Sequence, residues 1–302
     1  MRSAVLKNLY RSRYLYLMIA PVAAYYIIFD YIPMYGAQIA FRDFNPFVGV
    51  WGSQWVGLKY FEQFFSSVYF TRLLGNTLMI NLYALLVGFP APIILALMIN
   101  EVQKNFLKRG IQTIVYIPHF ISLVVVVGMI LSFLSPSSGI VNVMITALGG
   151  ESVHFMAEPA WFKTIYVLSG VWQEAGWGCI IYLAALSGID PHLYESAVVD
   201  GASRWQRLIS ITLPSIVPTI MIMLILRMGG LFSVGFEKIM LMYNPITYET
   251  ADVISTYVYR RGIQGGEYSF STAVGLFNSV INLVMLVTFN AISKRMNGTS
   301  LW

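Results

Sequence analysis

Residues 77–99 read TLMINLYALLVGFPAPIILALMI, twenty-three positions without an Asp, Glu, Lys or Arg. A helix of that length rises about 34 Å, enough to cross the roughly 30 Å hydrocarbon core of a bilayer. Five further runs have the same character, at 14–34, 111–135, 164–189, 214–236 and 272–293. Two of them, 111–135 and 272–293, also lack charge, and the others carry one charged residue each: Asp30, Glu174 and Arg227. These runs exceed ordinary core helices, and none shows the alternating pattern of an outer-membrane barrel strand. The expected fold is all-α: a polytopic transmembrane bundle of six spans, forming a single domain over 1–302.

Composition points the same way. Of the 302 residues 57% are hydrophobic and only 11% charged, against about 45–50% and 25% in soluble domains. The mean hydropathy is +0.68 and the pI about 9.2. So few charges cannot coat a water-soluble fold of this size, which excludes the ordinary cytosolic enzyme. The net charge of +5 needs no nucleic acid to explain it, because membrane proteins gather Lys and Arg on their cytoplasmic side. A lone cysteine, Cys179, forms no internal disulfide, and no Cys/His spacing reads as a metal site.

The bases set a direction. With a cytoplasmic N-terminus, the inner segments are 1–13, 100–110, 190–213 and 294–302. They carry eleven Lys and Arg in 57 residues, Arg2, Lys7 and Arg11 among them. The outer segments, 35–76, 136–163 and 237–271, carry seven in 105. That bias places both ends inside. The first span has a basic flank like a signal peptide, but its apolar run is too long and no small-residue cleavage site follows, so it reads as a retained anchor. Among the outer segments, residues 251–261 show apolar and aromatic residues at helical spacing, the pattern of a short helix lying at the membrane interface.

Between the fourth and fifth spans the chain reads DPHLYESAVVDGASRWQRLISITLP over 190–214. Pro191 suits a first helical position with Asp190 as N-cap, giving a helix over 191–200. Gly201 breaks it, and a second helical stretch over 203–212 runs to Pro214 at the head of the fifth span. Tyr194, Ala197 and Val198 share one face, while Glu195 and Asp200 project elsewhere. A bent pair of amphipathic helices without a core of its own either docks in a groove on another protein or lies on lipid headgroups.

The spacing Glu195-x-Ala197, Gly201, Ile211-x-Leu213-Pro214 resembles the EAA loop of binding-protein-dependent ABC importer permeases. Ser196 replaces the usual alanine and keeps a small side chain there. Further stretches resemble the carbohydrate permeases of the LplB type. They include residues 31–36, 55–61, 116–122, 182–186, 257–260 and the terminal Ser300-Leu301-Trp302. The resemblance implies a bacterial cell-membrane importer of carbohydrates, in the first place oligosaccharides. In it a second related permease completes the pathway, two cytoplasmic ATPase subunits bind ATP and Mg, and an extracytoplasmic solute-binding protein delivers the sugar. It implies no cofactor on this chain. Residues Tyr194, Glu195, Ala197, Asp200, Gly201, Ala202 and Leu208 become the ATPase-coupling set.

Charged residues at bilayer depth face a bundle interior or water and are site candidates. Trp172, Gln173, Glu174 and Trp177 lie on the fourth span, Arg227 on the fifth, and Asn278 and Asn282 one turn apart on the sixth. Either these groups pair and hold the bundle together, or they line a pathway where amides and charges meet sugar hydroxyls and indoles stack on sugar rings. Asp30 reads as a solvated acid near the outer interface and His119 as a packing histidine. No Gly-x-x-x-x-Gly-Lys-Ser/Thr occurs, so ATP phosphates are not cradled here and the chain reads as a transport subunit, not an enzyme. The rival readings are a permease for peptides, phosphate or amino acids, a proton-coupled secondary transporter, and a membrane-embedded enzyme.

Overall fold

Prolines shape the long helices of the computed structural model, which describes residues 12–297, 300 and 301. Arg2, Lys7, Arg11 and Trp302 lie outside the described residues. Helix α1 (Arg13–Phe41) passes through a π turn at Ile27–Tyr31 just before Pro33. The same device recurs elsewhere, at Ala84–Gly88 ahead of Pro90 and at Leu208–Thr212 ahead of Pro214. A proline has no N–H to donate and its ring crowds the carbonyl four residues back, so the turn widens by one residue and the helix continues.

The chain forms two compact units. The first contains the residues up to 66 and 258–277. After α1, strands β1 (Arg42–Asp43) and β2 (Gln54–Trp55) pair antiparallel, Arg42 opposite Trp55. Phe41 stacks on Trp55 and the Arg42 guanidinium lies near the rings of Trp51 and Trp55. Helix α2 (Lys59–Phe65) buries Phe64 against Phe270 and Phe277. None of residues 13–34 is buried.

The Tyr60 hydroxyl donates to Asp43 Oδ1 at 2.7 Å. Burial and then this bond to a carboxylate push the phenol up from 10.0 to about 12, because both disfavour a phenolate there. A group with a raised folded-state pKa contributes stability fully present below its unfolded value, and that contribution is lost as pH rises through the folded value. The window here is from pH 10 to about 12. The phenolate absorbance missing from a Tyr60→Phe variant should therefore titrate near the top of that window, and Asp43→Asn should bring it down.

The second unit holds residues 67–257 and 278–302. Its longer helices are α3 (Phe70–Asn100), α4 (Asn105–Phe120), α5 (Leu123–Phe133), α6 (Ile140–Ala147), α7 (Pro159–Ser187), α8 (Pro191–Val199), α9 (Arg204–Met228) and α10 (Phe236–Met242), and α11 (Ile254–Tyr259) belongs to it up to Tyr257. Helix α12 (Tyr268–Asn297) belongs to it from Asn278 onward. Among the described residues four helices, α1, α3, α9 and α12, are long and apolar enough to cross a membrane. A fifth crossing exists if α4 and α5, bent by 96° at Ile121-Ser122, count as one span. The 29-residue α7 is long enough, and Lys163, Gln173 and Glu174 set it apart from the apolar four.

Apolar clusters organise this unit. One gathers Ile80, Val127, Phe162, Ile239, Met242 and Val253, and another gathers Ala96, Ile99, Cys179, Tyr182, Leu186 and Ile216. At Gly176 the backbones of α7 and α4 come so close that an added Cβ would lie 1.8 Å from the Val115 carbonyl oxygen.

Three expectations change. The second stretch of the 190–214 loop is continuous with the fifth apolar run as α9, since the π turn absorbs Pro214. That run then ends at Met228 rather than 236, where Gly229 and Gly230 follow. In the stretch 251–261 a short helix does form, α11, but residues 251–257 are drawn into the interior instead of lying on a surface. Ala251, Asp252, Val253 and Thr256 are fully buried, because polar groups on α3 claim their backbone. Asn76 Nδ2 donates to the Glu249 and Asp252 carbonyls at 2.8 and 3.0 Å, and Thr77 Oγ1 accepts from Ile254 N–H. Arg72 pairs with the Asp252 carboxylate at 3.5 Å, and Thr256 donates to its other oxygen at 2.8 Å. A buried carboxylate with both oxygens satisfied is tolerable, whereas a bare one is not.

Candidate functional site

The 190–214 segment is capped at every end. Asp190 Oδ1 accepts from His192 N–H at 3.0 Å with Pro191 at the first helical position. Helix α8 closes in a Schellman turn: Ala202 N–H donates to Ala197 O at 2.8 Å and Gly201 N–H to Val198 O at 3.1 Å. Gly201 supplies the left-handed backbone this needs, at φ +77°. Ser203 and Gln206 then form a reciprocal capping box that starts α9. The backbone donors at these ends are matched, and the elbow between the two helices is only a few residues long.

Its outer surface is apolar and charged. Leu193, Val198, Val199 and Trp205 are exposed, Val199 at 86%. Glu195 is exposed and its carboxylate lies 3.2 Å from His192 Nδ1, and Asp200 and Gly201 are also exposed. Tyr194, Ala197, Ala202 and Leu208 are half-buried, and the Tyr194 hydroxyl sits 2.9 Å from Thr212 Oγ1. Of the expected set, Glu195, Asp200 and Gly201 are on the free surface, whereas Tyr194 and Leu208 turn inward. Leu193, Val199 and Trp205 were not singled out from the sequence; their helix-surface positions between the caps were the available signal.

The polar residues of the apolar runs separate into distinct settings. Glu174 pairs with His119, Oε2 to Nδ1 at 3.0 Å, and not with Arg227. His119 stacks on Trp177 at 4.5 Å with the rings nearly parallel, and Phe120 meets Trp177 edge-on. This aromatic and carboxylate group sits at the 96° bend between α4 and α5. Gln173 is buried and donates to the Ile121 carbonyl at 3.2 Å, holding the break. Trp172 and Trp177 are each about half exposed, and Arg227 is exposed on α9. Asn282 ties the 229–235 turn to α12, accepting from Phe232 N–H at 2.9 Å and donating to Ser233 Oγ at 3.0 Å. Asn278 keeps a buried Oδ1 without a hydrogen-bond partner among the described residues.

Lys238 is a further group that the sequence reading passed over. It is buried, donates to the Tyr166 carbonyl at 3.0 Å and lies 4.9 Å from the centre of that ring. Among the described residues no three His, Cys, Asp or Glu come together as a metal site.

The chain is 46% identical over 292 residues to Protein LplB of Bacillus subtilis (strain 168), covering 97% of this chain and 92% of that one. It is 43% identical over 294 residues to the polygalacturonan/rhamnogalacturonan transport system permease protein YteP of the same organism, with the same two coverages. It also superposes on a chain of a crystal structure of a bacterial alginate ABC transporter in complex with an alginate pentasaccharide-bound periplasmic protein. There the TM-score is 0.91 and the identity 48%, over 98% of this chain and 99% of that one. Residues 88–298, which include the whole capped segment, match the model of the binding-protein-dependent transport system inner membrane component, and this chain belongs to that family of ABC permeases.

Proposed function

We propose that this chain forms half of the translocation pathway of an ATP-driven importer for acidic oligosaccharides and couples to a cytoplasmic ATPase through 190–214. The capped helix-turn-helix carries the coupling reading. It is stiff, exposes Leu193, Val199 and Trp205 and has no core of its own, as a force-transmitting plug in a partner's cleft requires. Closure of an ATPase dimer on ATP would move the docked segments and rock the spans between inward- and outward-open states. A second permease, two ATPase subunits and a solute-binding protein complete the machine. Helix α7 supplies the sixth crossing beside α1, α3, α4–α5, α9 and α12. Its polar face turns toward the pathway, and lipid covers the exposed apolar residues of α1.

Acidic carbohydrate is favoured because polygalacturonan and alginate, which the names of two relatives give, are polyanions, and because Arg227 and Lys238 place cations among apolar helices. The test is to tag the chain, isolate it in mild detergent with its ATPase and second permease, and measure receptor-dependent uptake of galacturonate oligosaccharides in proteoliposomes. Arg227→Gln is expected to reduce that uptake about ten-fold while reducing uptake of an uncharged oligosaccharide far less. Equal losses for both would remove the charge argument, and absence of any co-purifying ATPase would remove the coupling one.

A further inference from the structure

We propose that Tyr194 and Thr212 form a mechanical tether that makes α8 and the base of α9 move as one body. Tyr194 is thus a positioning residue for coupling and not a contact for the ATPase. The inference rests on the coupling role of 190–214 proposed above. It starts from Thr212, which is only 3% exposed and closes the π turn Leu208–Thr212.

The Thr212 hydroxyl donates to the Arg207 carbonyl at 3.4 Å, five residues back, as a π turn places it. The Tyr194 hydroxyl lies 2.9 Å from Thr212 Oγ1, and either hydroxyl can be the donor. The two residues are 18 positions apart, and their contact bridges the two arms of the helix-turn-helix.

The mechanical consequence follows from the elbow. Between the arms lie only Asp200, Gly201, Ala202 and Ser203. Gly201 is in a left-handed conformation with nothing within 4 Å of where a Cβ would be. An elbow joined at one point can flex when α8 is pulled, and the pull is then spent on bending. A second attachment at Tyr194–Thr212 turns the hinge into a braced corner, so displacement of α8 is handed to α9 at the π turn just below Pro214. The widened turn gives the hydroxyl a place, within reach of both the Arg207 carbonyl and the Tyr194 hydroxyl.

The test uses the complete importer in proteoliposomes with its receptor and galacturonate oligosaccharides, scored as sugar taken up per ATP hydrolysed. Tyr194→Phe and Thr212→Val are each expected to lower that ratio two- to five-fold, with the ATPase still co-purifying. Thr212→Ser, which keeps the hydroxyl, is expected to retain the ratio, and the Tyr194→Phe/Thr212→Val double variant to be no worse than either single one. A normal ratio for Tyr194→Phe alongside an uncoupled Gly201→Leu would overturn the tether and leave the coupling segment standing. Loss of the ATPase on purification of Tyr194→Phe would also overturn it, by making Tyr194 a contact. Normal ratios for both Tyr194→Phe and Gly201→Leu would bring down the coupling reading itself.

Discussion

Gly176→Ala should loosen the second unit at once, with the thiol of Cys179 reporting it. A Cβ at 176 would lie 1.8 Å from Val115 O and 2.5 Å from Val115 C. Both are backbone atoms of α4, so no side-chain rotation relieves the overlap and the two helices must separate by more than an ångström. Overpacking of this kind typically costs about 1–3 kcal/mol and more where backbone must move, a large share of a marginal stability. Cys179 is fully buried one turn further along α7, packed with Ala96, Ile99 and Tyr182. As the chain's one cysteine, it needs no engineering to serve as a probe. The rate of labelling by a thiol-reactive dye in detergent is expected to rise about ten-fold or more, since each 1.4 kcal/mol of opening is a factor of ten. Gly178→Ala is the control. Its Cβ would meet Pro92 Cβ at 3.3 Å, a gap that a few tenths of an ångström restores, and labelling should stay close to that of the natural protein. Unchanged labelling for Gly176→Ala would mean that α4 and α7 do not cross where the structure places them.

That crossing shows where sequence reading stops. The runs at 77–99, 111–135 and 272–293 announce helices because an uncharged stretch of that length has few other stable forms; the first and last each lie within one long helix, whereas 111–135 is divided between α4 and α5 by the 96° bend. The caps of 190–214 were equally legible: Asp190 before Pro191, and Gly201 at the left-handed exit, are local preferences that need no tertiary information. What the sequence conceals is lateral. Where nearly every face of a helix is apolar, periodicity does not say which face meets protein, so neither the closeness of Gly176 to Val115 nor the inward turn of Tyr194 and Leu208 could be read. Polar pairings across distant segments are hidden for the same reason. Glu174 finds His119 and not Arg227, and Asp252 finds Arg72 and Thr256, which draws 251–257 into the interior. Pro214 misleads in a different way: a break is the local expectation, and the π turn absorbs it.

Gly201→Leu should abolish uptake while leaving ATP hydrolysis running, provided the elbow at 200–203 passes force to the spans as proposed. Two effects combine at this position and a short series separates them. An L-residue held at φ +77° pays about 1–2 kcal/mol relative to glycine, and that penalty is common to alanine and leucine. Beyond its two chain neighbours, no atom of the described residues lies within 4 Å of the added Cβ, so within the isolated subunit the two should be nearly alike, with similar melting temperatures. A docked partner distinguishes them, because Gly201 is exposed beside Asp200 and the apolar Val199, and the leucine side chain would occupy space that a close-fitting cleft needs. Gly201→Ala is therefore expected to lower transport a few-fold through strain in the Schellman turn, and Gly201→Leu to lower it by about a hundred-fold or more with equal stability. Reversing both Glu195 and Asp200 to Lys attacks the same surface by charge, without touching backbone geometry, and should uncouple in the same sense. The measurements are sugar uptake and receptor-stimulated ATP hydrolysis on one preparation of the reconstituted complex. Equal effects of alanine and leucine would show that backbone strain alone matters at 201 and that no partner surface closes over it.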